Sequence, residues 1–222
     1  MRIFPLGDNA VTVEFGNEIS LEHNCKAIAL SEHFESDPFS GFIETVPAYS
    51  STTIFFDPLQ VRNAFAQDPT AFDTVCELAK QAVSKLRYAS ESDSEPVEIP
   101  VIFDDEASLD LGNVAEFSGM NPDEIISIFL AETYRVFMIG FLPGFAYMGE
   151  VDKRIAIPRK QTPRTKVPAG SVGIAGKQTG IYPLESPGGW QIIGRTAMKM
   201  FDPRSDPSCP LRPGDNVRFV RA

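Results

Sequence analysis

From Tyr134 to the C-terminus the chain abandons helical periodicity, and nothing else in it limits the possible folds so strongly. Short β-prone runs, YRVFMI (134–139), SVGIA (171–175), WQIIG (190–194) and NVRFV (216–220), alternate with turns rich in Gly and Pro. A helix needs apolar residues every three or four positions, whereas β-branched and aromatic runs bounded by turn residues read as strands. Many short strands in succession are stable only in a sheet that closes on itself or stacks on another. A β-barrel or sandwich is therefore expected here.

The earlier part reads differently. AVTVEF (10–15) alternates like a strand, and TTIFF (52–56) is β-branched and aromatic. SLEHNCKAIALSEHF (20–34) opens on Ser20, a suitable N-cap, and reads as a helix. PTAFDTVCELAKQAVSKLR (69–87) carries Phe72, Val75, Ala79, Ala82, Val83 and Leu86 on one helical face, with Asp68 as its cap and Pro69 in its first turn. Strands and helices in this proportion give a small open sheet covered by helices. The polar, acidic stretch ASESDSEPVE (89–98) is the best boundary in the sequence. The expected organisation is α+β: a small α/β domain over residues 1–90, then a β-barrel or sandwich domain over 91–222. NPDEIISIFLAE (121–132) adds a helix to the second domain, with Asn121 as cap and Pro122 in the first turn.

Charge is distributed unevenly. The net charge of −10 argues against non-specific nucleic-acid binding. Residues 1–100 hold 6 Lys/Arg against 16 Asp/Glu, and residues 101–222 hold 14 of each, so the first part carries all of the −10. Between 153 and 195, eight basic residues meet one acid, Glu185, a local +7. That stretch reads either as a solvated basic face or as an electropositive cleft for a small anion. Three separated cysteines (Cys25, Cys76, Cys209) without a CxxC pair suit reduced thiols in a cytoplasmic protein. No apolar segment approaches the ~20 residues of a membrane span, and the opening residues, which meet Asp8 early, do not read as a signal peptide.

Several chemistries are excluded by residue inventory. His23 and His33 both lie in the first helical segment, so neither a Ser-His-Asp triad nor a His-containing zinc site can form within the second half. GIAGKQTG (173–180) fails as a phosphate loop because position 171 is Ser rather than Gly and Gln178 follows the Lys. What remains suits an anion or a polarised carbonyl. Arg159 and Arg164 sit in the paired PR dipeptides of PRKQTPR, where proline stiffens the backbone. A guanidinium so held can meet a carboxylate in two parallel hydrogen bonds; alternatively these arginines guard an edge strand. Ser171, Lys177, Gln178, Thr179 and Tyr182 lie among glycines that expose backbone N–H groups, and Arg195 follows Trp190 by five positions. Trp190 is either a stacking wall or core. Arg159, Arg164, Lys177 and Arg195 are expected to converge on one pocket, with Ser171, Gln178, Thr179 and Tyr182 as neutral partners.

GFLPGFAYMG (140–149), the run PRKQTPRTKVPAGSVGIAGKQTGIYPLESPGGWQIIGRT and the terminal LRPGDNVRF together resemble the allophanate hydrolase subunit 1 / kinase-inhibitor family. GDNAVTVEFG and VPAYSSTTIFFDP extend the likeness over nearly the whole chain. The resemblance implies that the second domain is a cyclophilin-like β-barrel paired with a related barrel from a companion subunit. For function it implies a subunit of an ATP-dependent 5-oxoprolinase, which opens 5-oxo-L-proline to L-glutamate with a companion barrel subunit and a third subunit. ATP would be used by the assembly, and the isolated chain would be inactive. Other members imply two alternatives: inhibition of a sporulation-type histidine kinase, or one half of the carboxyltransferase of a urea carboxylase. Family members often carry His where this chain has Phe129, so an activity needing that imidazole is not expected here.

Overall fold

Ser20 starts the first helix by a local rule: its hydroxyl accepts the His23 N–H at 3.1 Å, supplying one of the acceptors that a helix start lacks. The computed structural model describes residues 1–65, 69–87 and 95–222. It divides into two compact units, Met1–Glu91 and Ser92–Ala222. Most of the ASESDSEPVE stretch lies outside the described residues, and so does Asp68.

In the first unit, β1 (Arg2–Pro5), β2 (Ala10–Glu14), α1 (Leu21–Ser36), β3 (Phe42–Pro47), β4 (Ser51–Phe56), α2 (Pro58–Ala64) and α3 (Ala71–Lys85) follow in order. The strands form an antiparallel sheet in the order β1-β2-β4-β3. Alternate residues Val11, Val13, Ile54 and Phe56 face one way and meet Ala27, Leu30 and Phe34 of α1 and Val75, Ala79 and Ala82 of α3. The α3 face is the one expected, but its cap is not. Thr70 accepts the Asp73 N–H, so the helix starts two residues later than the Pro69 reading, and Pro69 precedes it.

The second unit runs β5 (Val97–Val101), α4 (Leu111–Ser118), α5 (Pro122–Ala131), β6 (Thr133–Ile139), β7 (Ala146–Gly149), β8 (Arg164–Val167), β9 (Ser171–Ala175), β10 (Gln178–Ile181), β11 (Ser186–Gly188), β12 (Gln191–Arg195) and β13 (Asn216–Arg221). Asn121 and Glu124 form a reciprocal capping box at the start of α5. Seven strands pair in the order β12-β9-β10-β7-β6-β13-β5, with only β13 and β5 parallel. Two backbone hydrogen bonds between Ile102 and Arg195, 2.8 and 3.0 Å long, join the two ends and nearly close the barrel. The architecture is thus α+β with a terminal β-barrel.

The wall formed by β7, β10, β9 and β12 is buried on both sides. Met148, Ile181, Val172, Ile174 and Ile193 point into the main core, which Ile125 and Phe129 of α5 also enter. Their strand neighbours Tyr147, Gly180, Gly173, Ala175 and Ile192 point the other way, towards a second cluster of Phe145, Val167, Tyr182 and Trp190. The short β8–β11 pair accompanies this cluster, contributing Val167. A strand buried on both faces shows no polar alternation, which is why SVGIA and QIIG read as continuous apolar runs.

Phe129 belongs entirely to the main core. Its ring stacks on Phe219 at 4.8 Å and lies 5.1 Å from Tyr134, whose hydroxyl donates to the Phe129 carbonyl. Phe129→Ala should therefore lower the unfolding free energy by about 3–5 kcal/mol. Urea denaturation measures it; a loss below about 1 kcal/mol would mean that the site collapses to fill the hole.

Candidate functional site

The second aromatic cluster carries a pocket of about 270 Å³. Phe145, fully buried, is the hub. Its ring meets Tyr182 at 5.2 Å and Trp190 at 5.4 Å, both nearly perpendicular, and Tyr147 stands 5.8 Å from Trp190. These edge-to-face arrangements are those that ring quadrupoles favour. The glycines of the segment serve these rings. A Cβ on Gly188 would lie 2.3 Å from the Tyr182 hydroxyl, and one on Gly180 would lie 3.0 Å from the Phe145 ring. Close approach here is therefore backbone to aromatic side chain.

The rim combines a cation and a strained aromatic. The Arg159 guanidinium stands 5.7 Å over the Trp190 ring, within cation–π range, and has no carboxylate partner among the described residues. Phe141 is 65% exposed with φ of +66°, a left-handed conformation that a bulky residue rarely adopts. Burial raises the Tyr182 and Tyr147 phenols above their ordinary range, so both stay protonated near neutrality. The Trp190 backbone N–H donates to the Tyr182 hydroxyl oxygen, and the phenol keeps its own proton to give.

Arg159 is held in place by its neighbours. Asp110, whose side chain is fully buried, accepts from Lys160 Nζ at 2.7 Å, from both terminal nitrogens of Arg164 at 2.5 and 2.8 Å, from the Ile192 N–H at 2.8 Å and from Asn113 at 3.1 Å. The Lys160 N–H also donates to the Gly189 carbonyl, and the Gln191 side chain donates to the Pro158 carbonyl. The segment 158–164 is thus pinned against β12 on either side of Arg159. Burial alone would raise the Asp110 pKa, but the bonds from Arg164, then Lys160 and Ile192, outweigh it and hold the carboxyl below its usual range.

The fold does not bring the four expected cations together. Arg159, Tyr182 and Trp190 line the pocket. Arg164 lies nearby but is committed to Asp110. Lys177 sits on the turn between β9 and β10 and faces Glu150 at 3.6 Å, beside a different depression. Arg195 lies along Gly170, and its backbone closes the barrel. The Thr179 hydroxyl donates to the Gly173 carbonyl, Ser171 is buried in β9, and Gln178, in β10, pairs with Ala175 of β9 and Gly149 of β7. Arg154 meets Asp152 and Lys166 meets Glu185 as well, so five of the eight cations of 153–195 face a carboxylate. A larger depression of about 740 Å³ at the start of α5 is lined by Asn121 and Glu124, which are engaged in the capping box.

Phe141, Phe145, Tyr147 and Asp110 are not among the candidates that the sequence offers. The first three lie in GFLPGFAYMG, legible as either a turn or a pocket rim. For Asp110 the sequence gives only a place before an apolar run, the signal of a helix cap. It does stand at the start of α4, yet makes no side-chain capping bond.

The family model described as carboxyltransferase domain, subdomain C and D, matches residues 1–211. The chain is 42% identical over 221 residues to the B-type subunit of 5-oxoprolinase from Bacillus subtilis (strain 168), covering 99% of this chain and 92% of that one. It is 36% identical over 219 residues to the corresponding 5-oxoprolinase protein of Escherichia coli O157:H7, covering 99% and 95%. The crystal structure of TTHA0988 superposes with a TM-score of 0.82 at 35% identity over 96% of this chain. This chain spans only 40% of that longer one.

The Asp110 cluster leads to a test. Asp110→Ala leaves two cations and two N–H donors without their acceptor, and should destabilise the protein by about 3 kcal/mol at neutral pH. The folded pKa lies below the unfolded value of ~3.9, so the carboxylate's contribution is complete above the unfolded value and is lost as pH falls through the folded one. Urea denaturation of both proteins should show the difference shrinking in acid. A difference that stays constant would mean that Asp110 acts by packing alone.

Proposed function

The chain belongs to the carboxyltransferase-domain family of subdomains C and D, and on that premise we propose that it is the B-type subunit of an ATP-dependent 5-oxoprolinase. The assembly opens 5-oxo-L-proline to L-glutamate in the cytoplasm, with a companion barrel subunit and a third subunit. The observation that carries this reading is the match to the B-type 5-oxoprolinase subunit of Bacillus, which runs through 99% of this chain and 92% of that relative without restriction to one unit.

The pocket's chemistry supports a subunit that binds and orients. Opening the lactam breaks the ring C–N bond, adds a water oxygen to the carbonyl carbon and returns a proton to nitrogen. Some group must take a proton from water near neutrality. Arginine cannot, the two phenols are held protonated by burial, and indole has no basic nitrogen. The two histidines lie in α1 of the other unit. Arg159 can hold a carboxylate, and Tyr182 and Tyr147 can donate to a carbonyl oxygen. ATP, used by the assembly, supplies activation of the amide. The relative of which this chain spans 40% carries additional protein on the same polypeptide, which suits a unit that works with a partner.

The purified chain should not turn over 5-oxo-L-proline with ATP, and turnover measured as glutamate release should appear when the companion subunits are added. Turnover by the chain alone would defeat the reading of a dependent subunit. Silence of the complete assembly would turn attention to carboxyl transfer or kinase inhibition.

A further inference from the structure

We infer that the pocket beneath Arg159 is a lactam-acid site, which accepts a small ring bearing one carboxylate and a neutral nitrogen and rejects the open-chain amino acid formed from it. The inference rests on the proposed 5-oxoprolinase role for the identity of the ring, and on the pocket itself for its selectivity.

Size comes first. About 270 Å³ lies below the roughly 300–1,000 Å³ typical of sites for drug-sized ligands. A single five-membered ring fits, whereas a nucleotide does not. The walls are flat and largely apolar. Trp190 and Tyr147, in edge-to-face contact with each other at 5.8 Å, line it together with the Phe145 ring that both touch. Phe141 at the rim is exposed and held in a conformation that costs energy, which persists only where surrounding contacts impose it, here edge-to-face on Phe145 at 5.8 Å. From there its ring can close over a bound one.

Charge decides the rest. Arg154, Lys160, Arg164, Lys166 and Lys177 are each met by a carboxylate. Arg159 lines the pocket and has none among the described residues, so its guanidinium is available for a ligand carboxylate in a two-bond contact. No Asp or Glu lines the pocket among the described residues. An ammonium group would therefore enter next to a like charge with no acid to balance it. The lactam nitrogen of 5-oxo-L-proline is neutral, and its carbonyl can accept from Tyr182 or Tyr147. Opening the ring creates an ammonium and a second carboxylate, for which the lining has no matching groups. The site thus holds the substrate and releases the product.

Trp190 is the single tryptophan of the sequence, so its fluorescence reports on this pocket. Titration of the full chain with 5-oxo-L-proline should give a saturable change in emission. L-Proline keeps the ring and carboxylate but carries a charged nitrogen, pyrrolidin-2-one lacks the carboxylate, and L-glutamate is the opened product. Each should bind at least about tenfold more weakly. Arg159 is exposed, so Arg159→Ala should fold and lose about ten- to a hundred-fold in affinity, with Arg159→Lys recovering only part. Equal binding of L-proline, or unchanged affinity in Arg159→Ala, would overturn the assignment. In the reconstituted assembly Arg159→Ala should raise KM for 5-oxo-L-proline by a similar factor with a smaller change in kcat. An unchanged KM in an active assembly would sink the site while leaving the subunit role standing. Selective lactam binding by a chain whose complete assembly shows no turnover would sink the role and leave the site.

Discussion

One buried carboxylate organises the functional half of the barrel unit. Taking Asp110 out of water is costly, and it is stable only because five donors replace the lost hydration. Those donors come from three places in the chain: the start of α4, the 158–164 segment and the backbone of β12. A charge that must keep all of them satisfied fixes their relative positions. Arg159 directly precedes Lys160, whose ammonium is locked to Asp110 together with the Arg164 guanidinium, and the Pro158 carbonyl on its other side accepts from Gln191, so its backbone is held from both sides. Arg164 is thus a structural cation, and its placement makes Arg159 a presented one.

The second constraint is that the wall of β7, β10, β9 and β12 is buried on both faces. Pleating sends alternate residues to opposite sides, so each strand must supply two packing surfaces at once. Branched residues fill the inner side. On the outer side the rings of Phe145, Tyr182 and Trp190 lie so close that their neighbours must be small, hence Gly173, Gly180 and Gly188. An alanine at 188 would displace the Tyr182 hydroxyl, and with it the contact to the Trp190 backbone. The glycines that look like a phosphate cradle in sequence therefore shape an aromatic box, with the Arg159 guanidinium above it.

Much of the fold is legible in the sequence because its determinants are local. Ser20 and Asn121 cap helices within three residues of themselves, and the β runs after 134 fall within strands at nearly their expected limits. The α3 face is legible from its period, while its start is not, because Thr70, a second capping residue, lies just beyond Pro69. What escapes reading is non-local. Ile102 and Arg195 close the barrel across 93 residues of sequence, and Asp110 pairs with cations 50 and 54 residues away. The +7 of residues 153–195 is real as a sum along the chain. Acids at 110, 150 and 152, outside that window, offset three of those charges in space. Of the site, Arg159, Tyr182 and Trp190 are legible as residue types suited to an anion and a ring. Phe141, Phe145 and Tyr147 are visible only as parts of an aromatic segment that reads equally as a packing turn or a pocket rim.

On the proposed reading, the two constraints together suit this pocket to recognition rather than to reaction. A box of packed rings excludes water and offers shape, and burial that favours the neutral phenols removes them as bases at neutral pH. Lys160 and Arg164 are engaged by Asp110, which leaves Arg159 as the cation in the pocket lining that meets no carboxylate among the described residues. A single fixed positive charge over an apolar floor discriminates by the number and sign of charges on a small ligand. It cannot by itself move a proton. On the proposed role, the groups that take and return protons come from another surface brought against this barrel.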